Sequence, residues 1–419
     1  MIVRADLHLH SHYSSSTSPK ANLINYCRTA SQKGLKLIGS GDCLHPKVLK
    51  ELSELSFSEG LLEYNGISIV LQCEVEDINR AHHIIFFPSI SKIEDFRNAV
   101  RNNANDMEYE GRPTINLFGS ELAELVHMHN GIIGPAHVFT PYTGILPLYG
   151  SLENCYRDQL DRIGFVELGL SADTELANPM SQLSDLNFLS NSDAHSPSPR
   201  RMGREFNLVR MEKLNFHSLR SALERTTVYD QDSPNRIIAN YGLPPQEGRY
   251  HLTGCSSCHE KFSWDDARKQ RMRCGCGGRI KRGIIDICEQ YRNLNNGEMP
   301  ERPPYHHILP LVDIIGDVYE ISPDSSKATE IYGEILAICE TELSLFVAKE
   351  NREVLRERFP GVVMAIENLV SGDFETIPGG GGGYGKIKLL SVGERYTLSG
   401  TDVPRGMENT GEQKSLFEF

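Results

Sequence analysis

A chain of 419 residues exceeds one ordinary domain and leaves room for a barrel of roughly 200 to 250 residues plus smaller units. Its formal charge of −13 argues against broad, nonspecific attraction to nucleic acid. The absence of any apolar run of about 18 residues argues against a membrane span. Without the basic-then-apolar arrangement of a signal peptide, the ten cysteines are expected to be reduced thiols with a metal site among them, in a cytoplasmic protein that meets no membrane.

The first segment to carry chemistry is "DLHLHSHYS", Asp6 to Ser14. In an extended strand, residues two apart share a face, so His8 and His10 present two imidazoles to one side. A helical pattern over Ala21 to Lys33 follows, then the apolar runs "LKLIGSGD", "GISIVLQCEVE", "HHIIFFP", "GIIGPAH", "GFVELGL" and "LNFLSNSDAH". Strands alternating with helical stretches predict a parallel α/β barrel or sheet over residues 1 to 235. Ionisable residues gather at the ends of these strands: His8, His10, Asp42, Glu74, His82, His83, His137, Asp193 and His195. Such barrels place their chemistry there. Imidazoles and carboxylates on one rim suit a cluster of divalent ions, with nitrogen for affinity and carboxylate for bridging and charge balance.

"SPNRIIANYGLPPQEG", Ser233 to Gly248, carries three prolines and reads as a transition out of the barrel. Cys255, Cys258, Cys274 and Cys276 then form two close pairs, the pattern of a zinc ribbon in a module spanning 236 to 285. Between Arg249 and Arg282 there are nine Lys or Arg against three Asp or Glu. Lys269 and Arg271 are candidate phosphate contacts on that basic face. A third unit, 286 to 390, holds an expected helix over Thr329 to Lys349 and the loop "PGGGGGYG", expected to be flexible. The tail, 391 to 419, is polar and ends "QKSLFEF".

"DLHLHS", a strand-end aspartate, a glutamate-bearing strand, strand-end histidines and a terminal "SDAH" resemble the PHP (polymerase and histidinol phosphatase) metal-dependent phosphoesterases. The fuller set, "EVED", "HHIIFFPS", "GPAHVFTP", "ELGLSAD", "SNSDAHSPSPRRMGREFN" and the cysteine module, resembles endonuclease Q. That resemblance implies a distorted (β/α)7 barrel, a zinc ribbon and a small, mainly helical C-terminal domain that contacts the lesion. It implies an endonuclease that nicks damaged DNA on the 5′ side of a deaminated base, leaving 3′-hydroxyl and 5′-phosphate ends. Position by position, His8, His10, Glu74, His83, His137, Asp193 and His195 match the family's ligands for two or three ions (Zn²⁺, with Mg²⁺ or Mn²⁺ open), and one further Zn²⁺ is structural. Alternation with Ile85 and Phe87 favours His83 over His82. Asp42 is a ligand or an acid behind the ligands; Asp42, Glu74 and Asp193 are the catalytic carboxylates. Arg200, Arg201 and Arg204 are placed near the scissile phosphate. Gln413, Leu416 and Phe419 resemble a peptide that docks on a sliding clamp of the PCNA type. Two other readings compete: a phosphatase acting on a small monoester, and a noncatalytic DNA-binding scaffold that has lost a metal.

Overall fold

The computed structural model describes residues 1–224, 231–293 and 299–389. Among these, seven strands curl into a barrel: β1 (Ile2–Asp6), β2 (Leu37–Gly39), β3 (Ile67–Glu76), β4 (His82–Phe87), β5 (Ile132–Pro135), β6 (Phe165–Glu167) and β7 (Asn187–Leu189). β1, β2 and β3 run parallel, as do β6 and β7. A parallel bridge between Leu9 and Ala194 joins the two ends of the curl. The expected all-parallel arrangement does not hold. β4 is antiparallel to both β3 and β5, because the five residues Asp77–Ala81 that join β3 to β4 are too few for a helical crossover.

Alternation along the strands divides the apolar residues between two clusters. Val3, Ala5, Val70, Ile84, Phe86, Phe165 and Leu189 meet inside the barrel. Ile69, Leu71, Cys73, Ile85, Phe87 and Val166 pack outward with the helices. Both faces of the strands are therefore covered and apolar, as α/β barrels require. The surrounding helices start and stop where local chemistry dictates. Leu23–Lys33 is capped by the Asn22 side chain, which accepts from the Asn25 amide, and ends at Gly34 in a left-handed conformation (φ 86°).

The sheet continues beyond the barrel through β8 (Phe206–Arg210), β9 (Arg236–Gly242) and β10 (Tyr305–His307), with β8 antiparallel to β1. The stretch read as an exit from the barrel thus contributes β9, a strand of the barrel's own sheet, beginning one residue past the expected boundary at 235. The ribbon is compact: Gly254–Cys255 pairs with Ile280–Lys281 around a small core of Cys255, Ala267, Cys274 and Ile280.

In the third unit, the helix expected over Thr329–Lys349 instead covers Ser326–Cys339, with Ser325 as its N-cap. It stops because Glu340 takes a positive φ of 63°. Beyond it, Glu342 is buried against the barrel: its carboxylate accepts from Lys33 Nζ (2.7 Å), Tyr332 Oη (2.9 Å) and the Leu311 amide (3.0 Å). Removing either charge of such a pair strands the other in the interior, at a cost of about 3–5 kcal/mol.

The pentaglycine loop is not a free tether. It closes a hairpin between Glu375–Ile377 and Lys386–Lys388, and it is zipped onto the ribbon's entry segment. The Gly379 carbonyl accepts from Leu252, and the Gly379, Gly382 and Gly385 amides donate to Gln246, Arg249 and Glu247. A Cβ at Gly379, Gly381 or Gly385 would overlap the backbone of Gly248, Cys255 or Gln246. Glycine is used here for close backbone approach. No helix among the described residues is long and apolar enough to cross a membrane.

Candidate metal centre and nucleic-acid cleft

Three overlapping donor groups stand at the C-terminal rim of the barrel: His8, His10 and Glu74; Glu74, His82 and His137; His10, Asp193 and His195. Glu74 and His10 are each shared by two groups. Glu74 lies on β3 with its two oxygens serving different sides. Oε1 is 2.9 Å from both His82 Nδ1 and His137 Nε2, and Oε2 is 3.3 Å from His10 Nε2. Asp193 Oδ1 is 3.3 Å from His10 Nε2 and 3.5 Å from His195 Nδ1. A carboxylate straddling two sets of nitrogens is the arrangement that bridges a pair of ions.

The adjacent histidines come out opposite to the expectation. His82 shares a face with Ile84 and Phe86 and turns into the barrel, while His83 turns outward with Ile85 and Phe87. His83 ends in a separate buried network, its Nδ1 at 2.9 Å from Tyr156 Oη and its Nε2 at 3.2 Å from Asp77. Because both faces of β4 are apolar, hydrophobicity alone could not say which one looked inward.

Of the two places open to Asp42, the structure shows the one behind the clustered donors. It sits behind His10, accepting from Nδ1 (3.1 Å), and is pinned by the Ser11 amide (2.6 Å) and the Ser11 and Ser14 hydroxyls (2.6 and 2.9 Å). It is a positioning residue. Glu167, on β6, does the same for His8, at 3.0 Å from Nδ1, and accepts from Asn191 Nδ2 and the His137 amide (both 2.9 Å). Since the carboxylates accept, each Nδ1 donates and each Nε2 faces the centre. The sequence reading assigned no role to Glu167, although "GFVELGL" ends a strand on a carboxylate as the other motifs do. It also passed over Asp6, which accepts from the Ser192 amide and hydroxyl and the Gly203 amide, and so anchors the Asp193–His195 loop.

The centre's electrostatics follow from this packing. Burial opposes charge on Glu74 and Asp193, yet the surrounding imidazoles hold both carboxyls well below the usual range. Burial likewise lowers His8, but Glu167 and Asp193 outweigh it and raise the imidazole to about 9. Asp193 Oδ1, at the centre, is buried without a hydrogen-bond partner. Unpartnered polar atoms of this kind are costly unless something else binds them. Asp42, His137 and Asp193 all take positive φ (44°, 26° and 46°), the backbone strain that collects at working sites. Ionised carboxylates, with nitrogens of His10, His82 and His137 turned to Glu74 from two sides, fit divalent cations.

The centre opens into a cleft of about 760 Å³ lined by His82, His137 and Asp193 on one side and by Arg112, Arg200, Arg201, Arg204 and Arg249 on others. Arg112, which the sequence reading missed, lies 3.2 Å from Glu74 Oε2. Of the three expected phosphate contacts, all line the cleft, but Arg200 is paired with Asp313 (2.8 Å) and Asp324 (2.9 Å), and Arg204 donates to the Ser192 carbonyl. Glu247, also in the wall, has its carboxyl pushed up to about 7 by burial and by Asp313. The third unit closes the cleft through Pro310, Asp313 and Tyr384.

The four ribbon cysteines bring their sulfurs together, with Cys255 to Cys276 at 3.5 Å and Cys258 to Cys274 at 3.6 Å. Backbone amides of Cys258 and Ser257 hold the Cys255 thiol down to about 6. Four converging thiols with amide donors fit a tetrahedral zinc site. Lys269 and Arg271 stand exposed on the ribbon, Lys269 beside Asp266 at 3.2 Å, and neither lines the cleft. Gln413, Leu416 and Phe419 lie outside the described residues.

No protein-family profile matches the chain. It is 38% identical over 260 residues to the uncharacterised protein MJ0043 of Methanocaldococcus jannaschii, of whose length it spans about a third (31%). To the uncharacterised protein YqxK of Bacillus subtilis it is 30% identical over 414 residues, covering 92% of this chain and 99% of that one. Among solved structures it is similar to the lesion-specific endonuclease PfuEndoQ of Pyrococcus furiosus, with a TM-score of 0.85, 37% identity, and 93% and 95% of the two chains covered. It is equally similar to an Endonuclease Q complexed with a 27-mer duplex bearing an abasic lesion at the active site, with a TM-score of 0.86, 37% identity, and 94% and 98% covered. At that identity over nearly the full length of both structures, the chain belongs to the endonuclease Q family.

Proposed function

We propose that this protein is a lesion-specific DNA repair endonuclease that hydrolyses the phosphodiester on the 5′ side of a deaminated base (uracil, hypoxanthine or xanthine) or an abasic site. The observation that carries this reading is the pair of donor groups hinged on Glu74, opening into an arginine-lined cleft, in a chain of the endonuclease Q family. The barrel is read as a PHP-type phosphoesterase. His8, His10 and Glu74 would hold one ion and Glu74, His82 and His137 a second, with His10, Asp193 and His195 available to a third. Zn²⁺ suits this nitrogen-rich set, with Mg²⁺ or Mn²⁺ as alternatives, and a further Zn²⁺ is structural in the ribbon. Divalent ions there supply Lewis acidity toward phosphoryl oxygens and a water of lowered pKa.

The chain's own residues do the rest. Asp42 and Glu167 fix the rings of His10 and His8 so that Nε2 faces the centre. Arg112 and Arg201 meet the phosphate that enters the cleft, while Arg200 and Arg204, tied to Asp313, Asp324 and Ser192, set the shape of its wall. Selecting a base from a duplex requires its extrusion, and residues 286–390, which supply Pro310 and Tyr384 to the cleft, are read as the lesion-facing unit. Gln413, Leu416 and Phe419 are read as a clamp-docking peptide whose leader, residues 391–412, supplies reach on DNA in the cytoplasm.

A labelled duplex bearing one uracil or abasic site, incubated with protein and Mg²⁺ or Mn²⁺ and resolved on a denaturing gel, tests the proposal. One nick 5′ of the lesion is expected, leaving 3′-hydroxyl and 5′-phosphate ends, and none with intact duplex or with Asp193→Ala. Hydrolysis of phosphate monoesters without any nick would instead establish the phosphatase reading.

A further inference from the structure

From the cleft wall outward, rings and cations alternate. Lys281 Nζ lies 5.4 Å from the ring centre of Tyr142 and 5.2 Å from that of Tyr250. The Arg249 guanidinium lies 5.8 Å from the Tyr250 ring and 5.2 Å from the Tyr384 ring. Five side chains thus form a ladder, Tyr142–Lys281–Tyr250–Arg249–Tyr384, built from a barrel loop, the ribbon's entry segment, its second strand and the glycine hairpin.

Two features exceed what gluing these parts together requires. The end rungs are open, with Tyr142 50% and Tyr384 61% exposed. Tyr142 is moreover held at φ 79°, a conformation that a bulky L-residue rarely adopts. Arg249, Tyr250 and Tyr384 line the same cleft as His82, His137 and Asp193.

We propose that this ladder is a stacking site for unpaired nucleobases of the DNA strand whose phosphate enters the cleft, an inference that rests on the nuclease reading above. Every base has a π-face, so tyrosine rings accept any of the four, but only where the base has left its neighbours in the helix. The interleaved Arg249 and Lys281 place positive charge beside the backbone of the stacked nucleotide. The ladder therefore favours distorted over intact DNA without reading the identity of the lesion.

The test compares two strands of equal length and charge on a methylene-phosphonate backbone that cannot be hydrolysed, one bearing bases and one without them, by equilibrium anisotropy with the full-length, metal-loaded protein. The base-bearing strand is expected to bind about tenfold tighter. Tyr384→Ala and, from a different segment, Tyr142→Ala should each shrink that ratio severalfold while Tyr384→Phe keeps it, because the ring stacks and the hydroxyl does not. Equal binding of both strands by the wild-type protein, or a ratio unmoved in both alanine variants, overturns the ladder. Assaying the same proteins on a lesion duplex separates the two ideas. Failure of the wild type to cleave overturns the nuclease reading and leaves the binding ratio to decide the ladder; cleavage with an unmoved ratio overturns the ladder alone.

Discussion

The ribbon and the barrel rim each gather metal donors, but they do so by opposite means. The ribbon draws four chemically identical thiols from 22 consecutive residues, Cys255 to Cys276, held by one short strand pair and one small core. The barrel rim draws histidines, a glutamate and an aspartate from strand ends scattered between His8 and His195, and its geometry depends on Asp42 and Glu167, which hold the rings of His10 and His8, and on Asp6, which anchors the Asp193–His195 loop. A local site stands or falls with its ion, since so small a core cannot fold alone. A distributed site is carried by a fold that exists without it. Loss of a ligand should therefore cost structure in the ribbon and chemistry in the barrel.

The sharpest break of this comparison is Asp193→Ala. Cleavage should fall by at least about 10²–10³-fold, while the variant, its ribbon zinc retained, melts cooperatively near the temperature of wild-type protein that likewise lacks the barrel ions, by differential scanning fluorimetry. A large loss of melting temperature would show the rim to be structural after all. Cys258→Ser is its counterpart. Metal analysis should show one zinc missing and the barrel ions retained. Because the ribbon backs Arg249 and the glycine hairpin, KM for lesion DNA should rise more than kcat falls. An unchanged KM would mean that the ribbon does not hold the cleft wall.

Smaller effects test how the distributed site is held. Glu167→Gln keeps the shape of the side chain but weakens its acceptance from His8 Nδ1, and should lower metal affinity or activity about 10–100-fold; metal titration followed by activity would detect it. The smallest effect is on stability and pH. Burial raises the Glu247 carboxyl from 4.5 to about 7, so the folded state favours the protonated form. Its stabilising share is complete below about pH 4.5 and is lost as pH rises through 7. Glu247→Gln should therefore gain stability relative to wild type between pH 5 and 8 in denaturant titrations, and a difference flat with pH would refute the assignment.

The same contrast explains what the sequence made legible. Cys255, Cys258, Cys274 and Cys276 could be grouped from spacing alone, because their contacts are local. The strand-end histidines and carboxylates could be enumerated, but their pairing depended on which face of each strand looks inward. At β4 both faces are apolar, and the structure turns His82, not His83, toward Glu74. Glu167 and Asp6 were hidden for a related reason. Each lies on a strand that only the closed barrel brings beside His8 or Ser192, and the strand-end carboxylate of "GFVELGL" is the sole local mark of Glu167. The glycine loop misled in the opposite sense: five glycines suggest freedom when read alone, and only the ribbon backbone lying against them shows that they permit contact.

The most direct test of the distributed centre sets two neighbouring residues against each other. His82→Ala and His83→Ala change adjacent positions on one strand, with the same volume removed. Single-turnover cleavage of an abasic duplex, with metal content determined on the same samples, should show His82→Ala short of a barrel ion and slowed about 100-fold. His83→Ala should keep both the ions and the rate, with a lower melting temperature from its lost bonds to Asp77 and Tyr156. Loss of metal and rate in His83→Ala, with His82→Ala intact, would contradict the assignment of the centre.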